Sequence, residues 1–203
     1  MNRTPPKSEV QDEALMVAFQ GGDRAAFGLL VRRHQRPLFN FAFRHLRDPA
    51  AAEEVVQDAF LRVVRSAAEF EHASRFATWL YTIARNLCID YGRKRALRRH
   101  PSLDEGADGQ GPTLGERTAD PEANVERAAT AAEIRKRVLA AVDALPEDQR
   151  EVFLLREVSD LPFKEIAQVV GAPENTVKSR MRYALERLQA TLSDFEEYAR
   201  ALR

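Results

Sequence analysis

Asn175, Lys178, Ser179, Arg182 and Tyr183 fall three and four residues apart, the spacing that lines side chains along one side of a helix. An amide, two cations and two hydroxyls in such a row suit nucleic acid: the cations can donate to guanine N7 and O6, and the hydroxyls to phosphate oxygens. The other side of the same stretch, Val177, Met181, Ala184, Leu185 and Leu188, reads as one apolar stripe. Arg180 lies beside that stripe, which suits a structural or phosphate contact better than base reading. The whole run, LPFKEIAQVVGAPENTVKSRMRYALERL, has the layout of a helix-turn-helix. Ala167 lets two helices approach, Gly171 supplies a left-handed turn, Pro173 fits the first turn of the second helix, and Val177 packs it onto the first. Such a unit lays its second helix in the major groove of DNA. A helical hairpin with a merely solvated basic face is the bland alternative.

A second group of residues could handle single-stranded nucleic acid. FATWLYTIARN places Phe76, Trp79, Tyr81, Ile83, Arg85 and Asn86 together, and Arg93, Lys94, Arg95, Arg98 and Arg99 follow closely. Unstacked bases bind aromatic or apolar pockets while cations track phosphates. The same aromatics could equally be ordinary core, and the basic run a solvated helix end. A third segment, EEVVQDAFLR, puts Val55, Val56, Ala59, Phe60 and Val63 on an apolar side and Glu54, Gln57, Asp58, Leu61 and Arg62 on a mixed polar face. From the residues alone this is an amphipathic helix. Glu53, Glu54 and Asp58 leave a metal-dependent hydrolase formally open.

Other chemistry is not supported. His34, His45, His72 and His100 form no HExxH pattern, and no zinc spacing surrounds Cys88, which reads as a core residue. No phosphate-binding glycine loop or nucleophile elbow occurs. No catalytic residue, metal site or cofactor is therefore expected. A single cysteine excludes an internal disulfide. The polar N-terminus resembles no signal peptide, and no apolar run approaches the roughly 20 residues of a membrane span. A soluble protein of a reducing cytoplasm, not inserted in membrane, is the simplest expectation.

The elements that must position these residues are all helical. Apolar residues recur three and four apart, and no strand pattern stands out. The spacing predicts helices at Asp12–Gln20, Asp23–Phe43, Pro49–Arg65, Phe76–Arg95, Glu122–Ala144 and Glu147–Arg156, then the two motif helices. Leu145-Pro146-Glu147-Asp148 is expected to end one helix and cap the next, and Ser193–Arg203 to extend the last helix or fray. Between the groups, Pro101–Pro121 is rich in glycine, proline and acids, too poor in apolar surface to fold alone and too long for an ordinary loop. Residues 1–100 carry 17 Lys/Arg against 11 Asp/Glu, residues 101–134 carry 2 against 8, and residues 135–203 carry 12 of each. The formal net charge of zero thus hides a basic half and an acidic middle. The expected fold class is all-α: an N-terminal bundle (1–100) and a C-terminal helix-turn-helix domain (125–203), joined by a flexible acidic linker (101–124).

GDRAAFGLLVRRH, EEVVQDAFLRV, FATWLYTIARN and the LPEDQREVFLLREVSDLPFKEIAQVVGAPENTVKSRMRYALERL block, in this order, resemble the sigma-70 superfamily of bacterial transcription initiation factors, most nearly its extracytoplasmic-function (ECF) branch. The resemblance covers roughly residues 10–100 and 125–190. It implies a dissociable subunit that binds core RNA polymerase and confers promoter specificity. Gln57 and Asp58, with Glu54 and Leu61 as neighbours, match the face that docks on the polymerase clamp. Asn86 matches the residue facing the unstacked non-template base of the −10 element, with Phe70 and Ile83 lining that pocket and Arg93 and Lys94 on the single strand. Lys178, Ser179, Arg182 and Tyr183, with Asn175, match the reader of the duplex −35 element. The linker would thread through polymerase toward the RNA exit path, although a simple tether fits as well. Members of this branch are commonly held inactive by a membrane-linked anti-sigma protein, so a separate partner of that kind is implied. The alternative from the residues themselves is a stand-alone helix-turn-helix repressor or activator.

Overall fold

The computed structural model describes residues 10–70, 75–98 and 125–201, and every regular element among them is helical. The chain divides into two compact units, the first ending at Gly109 and the second beginning at Gln110. The acidic linker and its expected flexibility lie outside the described residues.

The first unit holds α1 (Asp12–Gln20), α2 (Arg24–Leu46), α3 (Pro49–Arg65), a 3-10 turn (Ala67–Glu69) and α4 (Phe76–Arg98). Each boundary has a local cause. Asp23 caps α2 by accepting from the amides of Ala25 and Ala26 at 2.9 and 3.3 Å. At the other end Arg47 adopts a left-handed conformation (φ 53°), and its N–H reaches Phe43 O at 2.7 Å. The helix therefore runs through Pro37 and three residues past the expected Phe43. Asp48 then caps α3 through the Ala51 amide at 3.2 Å, with Pro49 in the first turn where its missing N–H has no partner to lose. α2 packs against α1, α3 and α4, which makes it the centre of the bundle. Met16, Leu30, Leu38, Phe41, Val63 and Leu80 are fully buried there. Cys88 is buried as expected.

The second unit holds α5 (Val125–Asp143), α6 (Glu147–Glu157), α7 (Phe163–Val170) and α8 (Glu174–Ala201), with α8 touching each of the other three. Val152, Leu155, Leu161, Ile166 and Val177 form its core. Neither Glu147 nor Asp148 caps α6: its N-cap is Pro146, with no side-chain cap, and Asp148 instead pairs with Arg180 at 3.1 Å. Arg150 satisfies the end of α5 by donating to Asp143 O at 3.1 Å. Gly171 closes α7 in the left-handed region (φ 67°, ψ 36°), as the motif requires. Pro173 stands just ahead of α8 rather than inside it, and its carbonyl accepts from Val177 N–H at 3.1 Å. α8 continues through Ser193 to Ala201, so the tail extends the last helix.

Candidate nucleic-acid interface

On α8 the helical period separates a buried seam from an exposed face. Val177, Met181, Ala184 and Leu188 are buried, but Leu185 is 48% exposed and does not belong to the seam. It lies one residue past Ala184, which turns it toward the outer face. Asn175, Lys178, Ser179, Arg182 and Tyr183 are all exposed. Lys178, Ser179 and Arg182 already have local partners. Lys178 Nζ is 2.6 Å from Glu174 Oε1, and Arg182 Nε is 3.8 Å from Glu186 Oε1. The Arg182 guanidinium lies 4.8 Å from the Tyr183 ring centroid, and Ser179 Oγ donates to Asn175 O at 2.9 Å. Glu174 and Glu186 escaped the sequence reading, although their i,i+4 spacing to a cation was visible. Arg180, beside the seam, pairs with Asp148 of α6 at 3.1 Å.

α3 presents the second surface. Val55, Ala59, Phe60 and Val63 are buried, Val56 is half-buried, and Glu54, Gln57, Asp58 and Leu61 are exposed. Positions 54, 57, 58 and 61 follow the helical repeat, so they form one accessible strip. Leu61 and Val64 add apolar area at its end. Among the described residues no group of three His, Cys, Asp or Glu could hold a metal ion, Glu53, Glu54 and Asp58 included.

The third surface follows the 3-10 turn. Phe70 is buried, with its ring centroid 5.2 Å from Trp79 and 6.2 Å from Phe76. Phe76 and Tyr81 are fully buried. Phe76 meets His34 at 5.3 Å, and Tyr81 meets Phe41 edge-on at 5.3 Å, so these two aromatics are core. Trp79 and Ile83 are half-buried and Asn86 is exposed; their spacing of four and three residues places them on one face of α4. The fold thus brings Phe70 against Trp79 at one end of a face that carries Ile83 and Asn86. Arg93 and Lys94 are exposed about two turns further on, with Arg93 4.0 Å from Asp90. Residues 71–74 lie outside the described residues.

Two side chains of α1 meet this segment, and the sequence reading did not anticipate them. Gln20 Nε2 donates to Ala67 O at 2.8 Å and to Phe70 O at 3.2 Å. Glu13 Oε1 accepts from the Phe76 amide at 3.0 Å. α1 is itself fixed to α2 through Asp12, whose carboxylate meets Arg33 at 2.7 Å and His34 Nε2 at 2.6 Å. Burial pushes the Asp12 carboxyl up, but the hydrogen bonds from His34 and Arg33 and their charges outweigh it and hold it below the usual carboxylate value.

Comparison with known proteins bears on the same surfaces. Residues 30–98 match the family described as Sigma-70 region 2, and residues 135–188 match Sigma-70, region 4. The RNA polymerase sigma-H factor of Pseudomonas aeruginosa is 34% identical over 185 residues, covering 91% of this chain and 95% of the relative. The ECF RNA polymerase sigma-E factor of Escherichia coli is 34% identical over 178 residues, covering 88% and 92%. A sigma factor from Bartonella quintana, solved in complex with the anti-sigma factor NepR, superposes with a TM-score of 0.62 at 26% identity, covering 82% of this chain and 96% of that one.

Proposed function

The chain belongs to the extracytoplasmic-function branch of the sigma-70 family, which directs promoter-specific initiation by RNA polymerase, and on that premise we propose how its surfaces divide the work. The strip Glu54, Gln57, Asp58 and Leu61 docks on core polymerase. Phe70, Ile83 and Asn86 receive a base of the −10 element, with Arg93 and Lys94 on the strand beside it. Asn175, Lys178, Ser179, Arg182 and Tyr183 face the −35 groove. The observation that carries this reading is the α4 face itself: a half-buried Trp79 and Ile83 lead to an exposed Asn86, with Phe70 packed at the other end. An apolar floor ending in an amide that can both donate and accept suits a base taken out of the duplex stack.

Unstacking a base pair takes a few kcal/mol, which binding on such a face can offset without nucleotide hydrolysis. The protein then acts as a binding subunit rather than an enzyme, at the polymerase in the cytoplasm. Among the described residues no helix is long and apolar enough to cross a membrane. The anti-sigma factor bound to the Bartonella quintana neighbour supports a partner of the same kind here. A stand-alone repressor is not favoured, because both family matches occur in one chain and the two sigma-factor relatives align over about nine-tenths of it.

Run-off transcription with core polymerase on the promoter upstream of its own gene tests the reading. Specific transcripts should require this chain. Asp58→Arg should weaken core binding with the helical fold intact, and Asn86→Ala should impair opening more than closed-complex binding. Unchanged core affinity for the first, or equal losses in both steps for the second, would remove the corresponding assignment.

A further inference from the structure

We infer that α1 is the positioning strut of the −10 reader, with Glu13 and Gln20 as positioning residues that hold Phe70, which follows the 3-10 turn, and Phe76 at the head of α4. This rests on the assignment of Phe70, Ile83 and Asn86 to the −10 element. Three observations carry it. Gln20, the last residue of α1, uses its amide to hold Ala67 O and Phe70 O, at 2.8 and 3.2 Å. Glu13, in its first turn, accepts from the Phe76 amide, one of the donors that an α-helix leaves unsatisfied at its start. Its negative charge also suits the positive end of the α4 dipole. The two anchors are seven residues apart along a rigid helix, about 10 Å at 1.5 Å per residue, so α1 fixes the separation of Phe70 and Phe76 like a spacer.

The mounting of α1 is equally firm. Leu15 and Met16 are buried, and Asp12 is held by Arg33 and His34 of α2. The contacts reach 47 to 63 residues along the chain, so they are tertiary and not a local turn. α1 also precedes residues 30–98, the part matched to Sigma-70 region 2. A base-capturing face works only in the fraction of molecules that hold it in the competent arrangement, and the apparent affinity falls with that fraction. Each anchor therefore acts through the placement of Phe70 and Trp79 and not by touching DNA.

The test uses the full chain with core polymerase on duplex promoters randomised across the −10 element. Glu13→Ala and Gln20→Met each remove one anchor; Gln20→Met keeps the side-chain length and drops both donors. Glu13→Gln keeps an oxygen that can accept from the Phe76 amide. Open-complex formation is expected to fall by up to about tenfold for Glu13→Ala and for Gln20→Met, the scale of one lost charged or paired hydrogen bond. The preference among −10 bases should flatten, while core affinity and −35 discrimination stay unchanged and Glu13→Gln recovers most of the loss. Normal opening with unchanged −10 preference in both variants overturns the inference. So does a loss that merely follows core affinity or melting temperature. Asn86→Ala, run in parallel, separates the two levels. If it leaves opening intact, the −10 assignment fails and the strut with it; if it impairs opening while the α1 variants do not, the strut alone fails.

Discussion

Gly171→Ala isolates one backbone angle from everything around it. The residue sits at φ 67° and ψ 36°, and a β-carbon built there meets nothing within 4 Å. No clash therefore adds to the intrinsic left-handed penalty of about 1–2 kcal/mol for a residue with a side chain. A stiffer unfolded chain offsets about 0.4–1 kcal/mol of it. The hydrogen bonds of the turn, from the Gly171 and Ala172 amides to Ala167 O, are untouched by a methyl group. The expected net loss is about 1 kcal/mol in the second unit, or a melting shift of about 4–8 °C for a unit of that size. Urea unfolding followed by circular dichroism on the full chain reads it. Gly171→Asn should lose less, because asparagine tolerates this region, and Gly171→Val more, because a β-branched residue does not. At temperatures well below melting, −35 discrimination should survive in the alanine variant. A loss above about 3 kcal/mol would refute the reasoning, since that magnitude needs a cavity or a clash. No loss would mean that the turn is not left-handed in solution.

Asp12 should make the docking of α1 acid-sensitive. Its carboxyl is held below the ordinary value of 3.8, so its stabilising contribution is complete above the usual carboxylate range and disappears as pH falls through the lower folded value. The melting difference between wild type and Asp12→Asn should shrink as the pH falls through the carboxylate range, below about 4; a gap that widens there contradicts this. Asp48 has two jobs, the α3 cap and a 3.7 Å pair with Arg95 that is partly exposed. Asp48→Ala should lose about 1 kcal/mol and Asp48→Asn only a few tenths, because asparagine still caps; equal losses in urea titrations would show that the ion pair dominates. Lys178→Ala should weaken binding to the preferred −35 sequence by about 1–3 kcal/mol if the side chain reads a base. The pair with Glu174, worth about 0.3–0.5 kcal/mol, makes that an underestimate of the contact. A uniform loss across sequences with a shallower salt dependence would assign Lys178 to phosphate instead.

Elements governed by short-range physics were legible in the sequence. The bounds of α1 and α3, the Asp23 cap and the left-handed Gly171 follow from spacing and from residues adjacent to them. Elsewhere a different local choice prevailed. α2 outran Phe43 because Arg47, not a glycine, takes the left-handed cap. Asp148 abandoned its expected cap for Arg180, a residue far away in sequence. The aromatics of FATWLYTIARN could not be sorted into core and surface from their order. Phe76 and Tyr81 are buried because α2 supplies His34 and Phe41 against them, and the sequence of α4 does not encode that neighbour. The α1 anchors were invisible for the same reason: Glu13 and Gln20 look like ordinary helix residues until the fold brings Phe76 and Phe70 to them.

The buried Cys88 gives the molecule a built-in reporter. It is the chain's one thiol and lies in the core of the first unit, so a thiol-reactive reagent can label it only when that unit opens. Where reclosing outpaces modification, the labelling rate tracks the population of the open form. Loss of about 1 kcal/mol through Asp48→Ala should then raise the rate roughly fivefold. Gly171→Ala, which acts in the other unit, should leave it unchanged. Any acceleration by Gly171→Ala would reveal that the two halves of the chain share their stability, a coupling that bulk unfolding curves would average away.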